Sequence, residues 1–111
     1  MYSLIIYSPA SSADAIRNAA AKAGAGKIGN YESCSFSSRG TGRYRPLKGA
    51  TPAIGSIGTL EEVEEERIEF VVNDDVLQDV LQAIITVHPY EQPAIHVIKI
   101  EDYTKWIMDR G

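Results

Sequence analysis

The string VHPYEQPAIHV, residues 87–97, sets an imidazole, a phenol and a carboxylate (His88, Tyr90 and Glu91) close together around two prolines, Pro89 and Pro93. A neutral imidazole and a carboxylate can ligate a divalent cation or act together as a general base pair. Two donors are too few for a tight metal site, so a centre built on His88 and Glu91 needs further copies from an oligomer, or Cys34 from elsewhere in the chain. The same residues also describe a rigid corner. The prolines fix the chain direction, His88 can cap carbonyls at a helix end, and Tyr90 can fill a crevice. The corner is the stronger reading, and metal ligation is its alternative.

A second group, Arg39, Thr41, Arg43, Arg45 and Lys48, lies in a region marked by Gly40, Gly42 and Gly49. Guanidiniums and exposed amides in such a setting can hold a phosphate or carboxylate, although neither a Walker motif nor a GxGxxG fingerprint is present. The bland reading is a solvated or subunit-bridging loop. His96 falls inside an apolar strand pattern, where a satisfied interior or interface histidine is expected. Cys34 reads as a small packed residue, since no neighbour predicts a lowered thiol pKa. Glu61, Glu62, Glu64, Glu65 and Glu66 read as the solvated start of a strand at a sheet edge, where charge discourages unwanted pairing. No residue is assigned to catalysis.

The elements that must position these groups follow from a chain of 111 residues, which fits one domain over 1–111. With 44% hydrophobic and 23% charged residues, it has the composition of an ordinary globular protein. A net charge of -4 argues against general adhesion to nucleic acid, which needs a clustered positive footprint. The single cysteine cannot close an internal disulfide, and a reducing cytoplasm is the expected location. No apolar run approaches a membrane span, and the short apolar start lacks the basic region of a secretory signal.

Residues 2–7, YSLIIY, are apolar on both faces of a pleat and predict a strand covered on both sides or lying at a subunit contact. Ser11 or Ser12 can cap a helix with Ala13, Ile16, Ala20 and Ala23 inward, stopped by Gly24 and Gly26. Residues 28–36 predict a strand, and SRGTG at 38–42 predicts a turn or loop. Ile68, Phe70 and Val72 alternate with charged residues, the mark of a strand with one buried face. Asn73, Asp74 and Asp75 open a helix that Pro89 ends at about Val87. A strand follows over 94–100. Residues 102–110 then predict a short helix capped by Asp102, with Tyr103, Trp106 and Ile107 on one face that docks on the sheet or on a neighbour. This order predicts an α+β, ferredoxin-like βαββαβ sandwich with its helices on one side of the sheet. The strands at both ends of the order are apolar almost throughout, so an oligomer that covers the second sheet face is expected.

The run from GAGKIGNY through CSFSSRGTG to EFVV, followed by HPYEQPAIHV, resembles the PII/CutA-like domain inserted in NIF3 (NGG1p-interacting factor 3) family proteins, here as a free-standing chain. GTLEE, HPYE and the group Asp102, Tyr103 and Trp106 are similar, more distantly, to the CutA divalent-cation-tolerance family. The resemblance implies the ferredoxin-like fold and a trimer with its sheets packed inside. It also implies that the metal ligands of full-length NIF3 proteins lie in lobes flanking this part. With only His88 and His96 present, that metal centre does not carry over. The expected function is a non-enzymatic oligomeric module that binds a small anionic ligand, a divalent metal ion or a protein partner. The alternative is a metal-dependent enzyme with an inter-subunit site using His88 and Glu91.

Overall fold

The computed structural model describes residues 1–107. Its elements run β1 (Tyr2–Pro9), α1 (Ala13–Lys22), β2 (Phe36–Tyr44), β3 (Glu61–Val72), α2 (Leu77–Val87) and β4 (Ile95–Lys99). Short 3-10 turns precede both helices, and another, Tyr103–Trp106, follows β4. The strands form one sheet in the order β2-β3-β1-β4 with every neighbouring pair antiparallel, which is the α+β ferredoxin-like arrangement. Alternation along β1 and β3 sends Leu4, Ile6, Ile68, Phe70 and Val72 toward the helices. There they pack with Ala13, Ile16 and Ala20 of α1 and Val80 and Ile84 of α2. The alanines on the inner face of α1 have no bulk to hold the helix off the sheet.

Three expectations are corrected. Residues 28–36 do not form a strand: the segment holds only an isolated bridge between Ile28 and Tyr31, and Phe36 begins β2. Residues 38–42, expected to turn, run extended inside β2. Pairing with β3 from Phe36 opposite Glu69 to Tyr44 opposite Glu61 overrides their low strand propensity. The glutamate run is an edge only in part: Glu65 and Glu66 lie inside the sheet opposite Pro9 and Ser8 of β1, whereas Glu61, Glu62 and Glu64 pair with β2 alone and keep the open edge expected of them.

β1 pairs with β3 only as far as Pro9 opposite Glu65, so the β2–β3 hairpin continues beyond the sheet as a two-stranded arm. The molecule accordingly measures 56 × 24 × 22 Å. The turn after α1 is closed by Gly24 and Gly26, both at positive φ, and the Gly26 amide donates to the Val71 carbonyl at 2.8 Å, tying the turn to β3. Helix α2 ends at Val87, as Pro89 requires. Asp102 caps the last 3-10 turn by accepting from the Thr104 amide at 3.0 Å. Tyr103, Trp106 and Ile107 are exposed in the single chain and do not dock on its own sheet. The helix expected over 102–110 shrinks to this turn within the described residues, and 108–110 lie outside them.

Candidate functional site

The corner at 88–94 begins where α2 gives way to extended chain. His88 is buried, and both of its ring nitrogens are engaged: Nδ1 accepts from the Tyr90 amide at 3.1 Å, and Nε2 lies 2.8 Å from the Tyr7 carbonyl. An amide can only donate and a carbonyl can only accept, so the Nε2–H tautomer satisfies both bonds. The imidazole thereby joins the end of α2 to β1.

Tyr90 reaches the other way. Its hydroxyl donates to Glu65 Oε2 of β3 at 2.8 Å, and its ring meets the Tyr44 ring edge-on at 5.5 Å. Burial first, then the hydrogen bond to Glu65 and the charge of that carboxylate, raise the phenol pKa well above its ordinary value. Tyr90 is therefore a fixed donor and not an acid or base at neutral pH. Gly42 makes room for this contact, since a Cβ there would collide with the Glu65 carboxylate.

Glu91 is exposed, and its Oε1 accepts from the Thr51 amide at 3.0 Å. His88 and Glu91 thus each hold a structural partner. Among the described residues, no group of three or more His, Cys, Asp or Glu side chains could hold a metal ion. Ligation at His88 would require breaking one of its two bonds.

The basic group lies along β2, where cross-strand pairing meets charge with charge. Arg39 pairs with Glu64 at 2.5 Å and Arg43 with Glu62 at 3.0 Å, both exposed. Thr41 is exposed between them, and Arg45 is exposed just past the strand. Glu66 has a different setting, mostly buried and bonded at 2.6 Å to Arg17 of α1, which also bonds Asp14. Those two hydrogen bonds raise the Arg17 pKa above its ordinary value. His96 is exposed on β4, edge-on to Tyr7 at 5.6 Å. Cys34 is half-buried in the 28–36 segment.

Sequence reasoning missed Tyr7, Tyr44, Thr51 and Glu65 as partners of the corner. Alternation puts Gly42 and Tyr44 on one face of β2. Finding Glu65 and Glu61 on the same side needs the β2–β3 register, and a 45–60 connection leaves that register open.

A one-layer antiparallel sheet backed by two helices, with an arm drawn out from β2 and β3, defines the PII/CutA-like class. The PII-like protein CutA from Nostoc superposes with a TM-score of 0.67 at 18% identity, covering 96% of this chain and 86% of that one. No family model matches the chain. In sequence, the GTP cyclohydrolase 1 type 2 homolog of Halalkalibacterium halodurans is 46% identical over 94 residues, 85% of this chain and 25% of that protein. A Bacillus cereus protein related to NIF3 superposes with a TM-score of 0.79 at 39% identity, over 91% of this chain and 26% of that one. The chain is therefore the counterpart of a CutA-like part of NIF3-family proteins, spanning about a quarter of the length of the curated relatives it matches.

Proposed function

We propose that the chain is a homotrimeric binding module of the PII/CutA-like kind and not itself an enzyme. The observation that carries this reading is the sheet face turned away from the helices. By alternation that face holds Ile5, Tyr7, Val71, Phe36 and Ile98, with Phe36 66% and Ile98 47% exposed. Such a face is stable in water when further copies cover it. The engagement of His88, Tyr90 and Glu91 in structural bonds supports binding over chemistry. The activity in the relatives' name is that of proteins more than three times as long as this chain, and in this reading this part serves them by assembly and ligand or partner binding.

No helix among the described residues is long and apolar enough to cross a membrane, and the lone Cys34 supports a reducing cytoplasm. Light scattering at micromolar concentration tests the assembly: a mass near three times the 12.1 kDa chain is expected, and a monomer overturns it. A thermal-shift panel of divalent cations, nucleotides and organic anions reads out the ligand, because whatever binds the native state raises its melting temperature.

A further inference from the structure

The segment 45–60 that joins the arm strands carries Gly49, Gly55 and Gly58 at positive φ, three points where the chain can pivot at little steric cost. Its internal bonds are two local turns, Ala50 amide to Leu47 carbonyl and Thr59 amide to Ser56 carbonyl, and one that ties its two ends, Gly58 amide to Pro46 carbonyl. The Tyr44 hydroxyl, at the end of β2, donates to the Ile54 carbonyl at 2.7 Å. Among the described residues, the one hydrogen bond that reaches this segment from outside the arm is the Glu91 carboxylate on the Thr51 amide. Consecutive residues of the corner therefore grip different parts of the arm: Tyr90 holds its strands, through Glu65 at the base and Tyr44 at the end of β2, and Glu91 holds its connecting segment.

The two grips differ in kind. The Tyr90 bond is part-buried and braced by an aromatic contact, whereas the Glu91 bond is exposed and open to competition from water. We propose that Glu91 is a releasable latch that holds segment 45–60 as a strap against the corner, and that its release frees the strap while the sheet and the arm base stay folded. The latch belongs to the single chain and does not depend on the trimer.

Amide hydrogen exchange by NMR on Glu91→Ala and Glu91→Gln tests this. A charge-assisted bond of this type predicts roughly tenfold faster exchange at Thr51 in the alanine variant, with Ala50 and Gly58 following and the amides of β1 and β3 unchanged. The glutamine variant keeps an oxygen acceptor and is expected to lie in between. Wild-type exchange at Thr51 in Glu91→Ala would overturn the latch. So would equal acceleration across β1 and β3, which would make Glu91 a general contributor to stability.

Discussion

Two histidines of one chemical type have opposite settings, and their environments decide what each contributes. His88 bridges an amide and a carbonyl in a buried position, so His88→Ala leaves both backbone groups without their partner. A loss of about 2 kcal/mol is expected, lowering the melting temperature by roughly 10 °C. His96 lies exposed against one ring, and His96→Ala is expected to cost at most about 0.5 kcal/mol. Paired urea melts compare the two, and equal midpoints would refute the bridging role of His88. Asp102 gives the pH dependence at this scale. Its side-chain bond to the Thr104 hydroxyl, then its bond to the Thr104 amide, lowers its pKa below the ordinary value. A depressed folded pKa means that the cap is fully present above the ordinary carboxylate range and is lost as pH falls through the lower, folded value. Carboxyl titration followed by NMR should therefore place Asp102 below a reference aspartate, with the Thr104 amide shift moving at the same pH.

Among the elements, the close of α1 depends most on a single residue. Gly26 sits at φ +78, and a Cβ there would collide with the Cys34 carbonyl oxygen and lie 2.8 Å from its nitrogen. Those are backbone atoms, and the Cys34 amide also donates to the Gly26 carbonyl at 2.9 Å, so neither side can move without breaking the turn. Gly29, at φ +55, has nothing within 4 Å of its virtual Cβ. Gly29→Ala is thus expected to cost only the left-handed backbone penalty of about 1 kcal/mol, and Gly26→Ala roughly 3 kcal/mol once the clash is added. Chemical denaturation of the two variants ranks them, and equal costs would contradict the close packing of this turn. β2 shows the opposite balance: serines and glycines of poor strand propensity lie extended because β3 offers a partner at every position.

The whole molecule is shaped by a sheet covered on one side and an arm that outruns it. If copies cover the open face, charges placed there must separate them. Phe36→Asp with Ile98→Asp alters two side chains that the single chain leaves exposed, so each copy should still fold. Light scattering is expected to show a monomer for the double variant, with a melting temperature that no longer rises with protein concentration. An unchanged mass would put the subunit contact elsewhere.

The sequence by itself determined the order of elements, the core face of β3 and the end of α2, because alternation and a proline act on neighbouring residues. It also marked 87–97 as a corner, since both prolines are local constraints. Only the tertiary structure decided that 38–42 is strand, that Glu65 and Glu66 lie inside the sheet while Glu61, Glu62 and Glu64 outrun it, and that Tyr90 and Glu91 hold Glu65 and Thr51. Those outcomes depend on the register of two strands joined across residues 45–60, and no short-range pattern specifies how so long a connection closes.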